Sequence, residues 1–278
     1  MSVTTTTDTA SIIEKRVSEI TTQTLIQQAV MLGAIRDFTA QVGPGMDRLD
    51  IPLYAELPLQ DVPENALMTS EVISVQTAKL LLDQHKSLVF SISDKASVQS
   101  KANLIDETVR NGAQTHAANI DDYILAGITA NTDAANIIAA DASDALADLA
   151  NLKKVLDDNN VPKQDRFVVC NPEFISKMLK TNTIVDASSY GNSAPIQAGF
   201  VSRVMGFTVL ESSSGEFPAA TGGQAVAFHR SCHAFARQIQ PKFESERIVK
   251  GQRFDYALTQ LFGSISADAS GLRSAYLS

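Results

Sequence analysis

The 278-residue sequence predicts an α+β fold with one long helix, a projecting β-hairpin ahead of it and a small α/β subdomain behind it. Three observations carry this expectation. After Asp94 the apolar residues Val98, Ala102, Ile105, Val109, Ala113, Ile120 and Ile124 step by three, four and seven, which is helical spacing over residues 94–126. Ahead of the helix, Leu49, Ile51 and Leu53 alternate with Asp50 and Pro52, and residues 71–77 alternate again, with Ile73, Val75 and Thr77 on one face. Behind it, residues 142–229 alternate between helical and extended character, as an α/β unit does.

Taken in order, the Thr-rich residues 1–10 have no apolar core and are no signal peptide. Residues 11–38 show helical spacing at Ile12, Ile13, Val17, Ile20, Leu25, Val30 and Leu32, predicting a helical arm that Gly43-Pro44-Gly45 ends. Pro52 argues for an edge position in its strand. The irregular stretch 58–70 forms the hairpin tip, and extended segments at 80–82 and 88–92 lead to Asp94, the expected N-cap. A lone two-stranded hairpin is marginal in water, so this one is expected to need another surface to cover it. The helix of 94–126 would be about 50 Å long at roughly 1.5 Å per residue, which suits a flat, extended subunit.

Residues 129–141 read as a linker. A second helix at 143–159 buries Leu146, Leu149, Leu152, Val155 and Leu156; a strand follows at 167–170, and Asn171-Pro172 starts a third helix. Loops are expected at 181–198 and 212–223, strands at 200–205, 206–210 and 225–228, and a short helix at 229–237. Phe243, Ser245 and Arg247 alternate with glutamates, Lys250-Gly251 turns the chain, and Phe254, Tyr256, Leu258 and Phe262 share one face of the last expected strand.

Net charge is −8, so a sequence-independent grip on DNA is not expected. No run approaches the ~18 apolar residues of a membrane span. Cys170 and Cys232 give neither a disulfide framework nor a CxxC pair. His229, Cys232 and His233 form the tightest cluster of potential ligands or nucleophiles, yet no second group completes a zinc site and nothing marks a base with its orienting partner. Asp121-Asp122 and Asp157-Asp158 point about 100° apart within each pair, so neither is a carboxylate dyad, and both pairs are expected to be solvated. No phosphate-loop, dinucleotide or nucleophile-elbow motif is present. No catalytic, cofactor or metal residue is therefore assigned.

The order of elements resembles a known family. It rests on Ile120-Asp121-Asp122 on the long helix, Phe167-Val168-Val169-Cys170-Asn171-Pro172-Glu173-Phe174, Gly206-Phe207-Thr208-Val209-Leu210, Ala225-Val226-Ala227-Phe228-His229 and the closing strands between Phe243 and Phe262. From about Gly43 onward the chain is similar to the major capsid protein of tailed bacteriophages, the Hong Kong 97-type capsid fold. The resemblance implies an N-terminal arm at 1–45 and an extended β-hairpin loop at 46–93 lying over a neighbouring subunit. It implies a peripheral domain with a spine helix at 94–141 and 238–278, and an axial domain at 142–237. It implies pentamers and hexamers in an icosahedral virion shell around double-stranded DNA, assembled in the host cytoplasm. A portal protein and a cement or decoration protein are implied partners. The region before Gly43 is too short for a built-in scaffold, so a separate scaffolding protein is expected. Intersubunit contacts are expected at Leu57, Ile73 and Val75 of the hairpin and at Val249, Lys250 and Gly251 near threefold axes. Lys79 and Lys86 are not at the hairpin tip, so crosslinking is not expected.

Two other readings stand beside it. One is an encapsulin-like nanocompartment shell, which would assemble alone and recruit a cargo enzyme. The other is a small α/β enzyme using Cys232 and His229, with a pocket lined by them or by Cys170.

Overall fold

The computed structural model describes residues 29–54, 61, 75–99, 104–140, 144–180, 203–213, 217, 224–268 and 270–278. In chain order the first strands are β1 (Arg36–Asp37), β2 (Arg48–Tyr54), β3 (Val75–Leu81) and β4 (Gln84–Ser93). Helices α1 (Asp94–Gln99) and α2 (Leu104–Asn131) follow, then β5 (Ile137–Ile138), α3 (Ala145–Asp158), β6 (Arg166–Cys170) and α4 (Pro172–Lys180). The chain closes with β7 (Arg203–Val204), β8 (Phe207–Glu211), β9 (Ala225–His229), β10 (His233–Ile248), β11 (Arg253–Ser266) and β12 (Ser274–Leu277).

The long helix is the organising element, as its spacing predicts. Val109, Ala113, Ile120 and Ile124 are all buried along one stripe of α2, against the sheet ordered β1-β10-β11-β4. Each fully buried Ile or Leu of that stripe contributes roughly 1.5–3 kcal/mol. The expected single helix over 94–126 is instead α1 (Asp94–Gln99) and a long helix that starts at Leu104, with residues 100–103 outside the described residues, and runs to Asn131, five residues past its expected end. Small residues at that end obscured the pattern. Gly127 is needed where it lies, since a Cβ there would sit 2.7 Å from the His233 ring. Asp94 is not the N-cap: Ser93 Oγ accepts the Ala96 N–H at 3.3 Å, and the Asp94 carboxylate binds Arg247 instead.

Strands β2 and β3 pair antiparallel from Arg48↔Leu81 to Tyr54↔Val75, so the two alternating segments do make a hairpin. Its base is anchored. Ile51, Leu80 and Leu82 pack with Ala234, Ala236 and Ala267. Gly263 of β11 is glycine because an added Cβ would lie 1.9 Å from the Leu81 carbonyl oxygen. Residues 88–92, expected to continue the projecting loop, do something else. Strand β4 pairs with β11 along its whole length, Gln84↔Phe262 to Ser93↔Arg253, and half-buries Leu88, Phe90 and Ile92 beneath the helices. The β10–β11 hairpin is the longest in the chain, with two register shifts between Arg237 and Lys242.

The second sheet has the order β5-β12-β9-β6-β8-β7, mixing parallel β6–β8 with antiparallel β6–β9. Helix α3 covers it with Leu146, Leu149, Leu152 and Leu156, and α4 adds Phe174 and Met178. Both helices start on side-chain caps. Asp144 Oδ1 accepts from Leu146 N at 2.9 Å, and Asn171 Oδ1 accepts from Phe174 N at 2.9 Å.

Three further expectations change. The short helix at 229–237 is one 3-10 turn, Arg230–Cys232, followed directly by β10. Residues His233–Arg237 are buried on both faces, so the alternation that would mark a strand is absent. The linker at 129–141 carries β5, and the C-terminus carries β12, which pairs β5 on one side and β9 on the other. In the arm, residues 11–28 lie outside the described residues, while Arg36–Asp37, expected to be helical, forms β1, parallel to β10 at Arg36↔Ala234. The loop at 181–198 also lies outside them.

Candidate functional site

No described element gathers catalytic groups, and the informative sites are apolar side chains left in solvent. On β3, Leu80 is fully buried, but Val75 is 50% and Leu81 53% exposed. On β4, Val89 is 67% exposed, on the sheet face opposite Phe90. A two-stranded ribbon with apolar side chains in water is a surface awaiting cover. Leu57 and Ile73, the other expected hairpin contacts, lie outside the described residues.

The second exposed feature is the turn between β10 and β11. Val249–Gly251 is a 3-10 turn closed by Gln252 in the left-handed region at φ 46°. Val249 is 75% exposed, more than any other large apolar residue described, and Phe254 beside it is 40% exposed. The turn is held in place. Both Arg247 guanidinium arms bind Asp94 at the start of α1, with Nη2–Oδ2 at 2.7 Å, and Gln252 O accepts the Asp94 N–H at 3.0 Å. The hydrogen bond and charge of Arg247 hold the Asp94 carboxyl below its ordinary value. Arg247 also lies 4.7 Å over the Phe254 ring. Sequence reasoning missed this clamp because 153 residues separate its partners.

Asp121 is a correction to the expected solvated pair. It is buried in the middle of α2 and accepts the backbone N–H groups of Val30 at 2.9 Å and Met31 at 3.0 Å. Burial pushes its carboxyl up to about 6, against those two hydrogen bonds. It joins the first described residues of the chain to the helix.

The cysteines and histidines do not form an enzyme site. Cys170 belongs to the core under α3 and Cys232 to the core under α2. Both are buried, and burial pushes both thiols far up, away from the nucleophilic thiolate. His229 Nδ1 lies 2.7 Å from Ser231 Oγ and also accepts the Ser231 N–H at 3.2 Å, which is a local cap. His233 is buried against Gly127, bonds Ser264 Oγ at 3.0 Å, and is pushed down to about 4 by burial. Among the described residues no group of three His, Cys, Asp or Glu side chains could hold a metal ion. No described helix is long and apolar enough to cross a membrane.

The family described as phage capsid protein matches residues 78–272, more than half of the chain. No curated protein matches in sequence. Among solved structures, one from Mycobacterium phage Che8 superposes with a TM-score of 0.75 at 24% identity, covering 90% of this chain and 91% of its own. The capsid of cyanophage P-SCSP1u gives 0.70 at 15% identity over 90% and 88%. The mature capsid of bacteriophage PhiM1 gives 0.66 at 14% identity over 88% and 85%. At these identities the superpositions speak for the fold, which is the Hong Kong 97-type capsid fold with its long helix.

Proposed function

This chain belongs to the phage capsid protein family and forms the icosahedral shell of the virion, and on that premise we propose that subunits join through the β2–β3 hairpin and the Val249–Gly251 turn. It is a structural protein and not an enzyme, and it associates with copies of itself. The family match selects the capsid reading over the nanocompartment.

In this reading the β2–β3 hairpin is the extended loop, laid over a neighbouring subunit, and it ends at Leu81 rather than at Ser93. The sheet β1-β10-β11-β4 with α2 is the peripheral body. The sheet β5-β12-β9-β6-β8-β7 with α3 and α4 is the axial body, gathered around fivefold and sixfold axes of pentamers and hexamers. The Val249-Lys250-Gly251 turn meets its equivalents near threefold axes. The observation that carries the proposal is the half-exposure of Val75 and Leu81 on one face of a ribbon whose other face packs on the body through Ile51, Ala78 and Leu80. Leu57 and Ile73 are part of the same proposed contact.

A separate scaffolding protein, a portal and a cement protein are the further partners, and the shell encloses double-stranded DNA without sequence-specific contact. The charge of −8 supports this, since like charge keeps packaged DNA from adhering to the wall. Cohesion then comes from buried apolar area and strand pairing. The test is Val75→Asp: far-UV circular dichroism should stay as in wild type while assembly is lost. A collapse of the dichroism spectrum would place Val75 in the subunit core and overturn the assignment.

A further inference from the structure

One cleft on the molecule has no part in the interface just described. It measures about 350 Å³ and lies where β1 passes the end of β9, bordered by Arg36, Asp37, Asp165, His229, Arg230 and Ser231. Its chemistry starts from Ser231, which is buried. His229 Nδ1 accepts the Ser231 backbone N–H at 3.2 Å and so also takes the Ser231 hydroxyl hydrogen at 2.7 Å, while that hydroxyl oxygen accepts from Arg273 Nη1 at 3.0 Å. With Nδ1 accepting, the imidazole proton sits on Nε2, which is left as a donor. Arg273 uses one of its five N–H donors in this arrangement.

Two guanidinium groups border the cleft itself, those of Arg36 and Arg230. Among the described residues no carboxylate pairs with Arg36 or Arg230. Of the two carboxylates at the rim, Asp37 is turned to the N–H and hydroxyl of Thr39. Two guanidinium groups at the rim, with that of Arg273 bonded to Ser231, therefore stand against two carboxylates, one already occupied, in a chain whose net charge is −8. The His229 imidazole registers this local excess: burial first, then Arg273, Arg36 and Arg166 hold it below its ordinary value against the opposing pull of Asp165.

We propose that this cleft binds a phosphate-type oxyanion, held by Arg36 and Arg230 and by the Nε2–H of His229. Guanidinium groups match the oxygens of a phosphate in pairs, and a neutral imidazole adds a directed donor without a second desolvated charge. The volume accommodates one phosphate group with its waters and is too small for a whole nucleotide chain to enter. The phosphate belongs either to free phosphate in solution or to the backbone of a nucleic acid passing the cleft. The proposal stands apart from the shell assignment, because it concerns binding by the chain in any state of assembly.

The test is equilibrium dialysis of the full chain, unassembled and assembled, against radiolabelled inorganic phosphate. About one phosphate per chain should be retained at millimolar concentration. Arg230→Gln and Arg36→Gln alter exposed side chains that pair with no carboxylate among the described residues, and each should weaken binding about tenfold, the loss of one charge-assisted hydrogen bond. Arg203→Gln, on the far edge strand β7, should leave binding unchanged. A short DNA duplex added as competitor separates the sources: displacement of the label identifies the nucleic-acid backbone as ligand, and retention identifies free phosphate. Absence of retained phosphate, or equal binding by the Arg230 and Arg203 variants, would overturn the proposal.

Discussion

Asp121 Oδ1 accepts the backbone N–H of Met31 at 3.0 Å, joining the middle of the long helix to a residue 90 positions earlier. The other oxygen takes the Val30 N–H. Two backbone donors, that of Met31 buried and that of Val30 half-buried, thus depend on one side chain, at the point where the arm meets the body. Asp121→Ala leaves both donors unpaired, and each costs about 1–3 kcal/mol. The expected outcome is an unfolding free energy, from urea titration, lowered by about 2 kcal/mol or more at constant slope. An unchanged midpoint would show that the arm contact adds nothing to stability.

The same carboxyl gives a pH dependence of unusual sign. Its folded value of about 6 lies above the 3.8 of an ordinary Asp, so the folded chain binds this proton more tightly than the unfolded chain. Its stabilisation is complete below about 3.8 and is lost as pH rises through about 6. Asp121→Asn carries no titrating group at this position. Relative to that variant, wild type should gain about 1 kcal/mol between pH 7 and pH 5, read from urea midpoints. A difference that stays flat with pH would mean that the two N–H groups already offset the burial.

Gly263 carries a steric prediction. A methyl group there would fall 1.9 Å from the Leu81 carbonyl oxygen, and backbone cannot yield as a flexible side chain can. Gly263→Ala should cost more than about 3 kcal/mol or detach the β2–β3 base from β11. Limited proteolysis between Arg48 and Leu81 distinguishes these outcomes, because a detached hairpin is cut and a globally destabilised chain is cut throughout.

The Arg247–Asp94 clamp is exposed on both sides and so contributes little to the stability of one subunit. Its consequence is positional. Arg247→Met should leave the melting temperature close to wild type and reduce the yield of closed shells, as counted by electron microscopy. Full yield would show that the turn needs no clamp.

Both thiols should be silent in the native chain. Cys170 and Cys232 are buried, and burial disfavours their thiolates. A disulfide reagent should label neither in the native state and both after denaturation. Rapid native labelling of Cys232 would revive the enzyme reading.

Much of the fold was readable from residue spacing where one face is buried and the other wet. The α2 stripe from Val109 to Ile124 and the Asn171-Pro172 helix start are cases in which a local rule suffices. Strand β10 begins buried on both faces, so His233–Arg237 carried no alternation and passed for a helix. Strands β5 and β12 have two and four residues and exist because they pair across the chain, as Tyr276↔Ile137 does. Side-chain partners were the least readable. Nothing near Asp121 in sequence announces Met31, and nothing near Asp94 announces Arg247. Exposure was legible only in part: Val75 is exposed, whereas β4, which reads as a continuation of the hairpin, gains a sheet through its pairing with β11.

The most direct test is negative-stain electron microscopy of the purified chain, expressed with and without a scaffolding protein. Closed shells or capsomer rings are expected from wild type with the scaffold present, and dispersed subunits from Val75→Asp. A uniform small particle from wild type under every assembly condition would contradict the shell assignment.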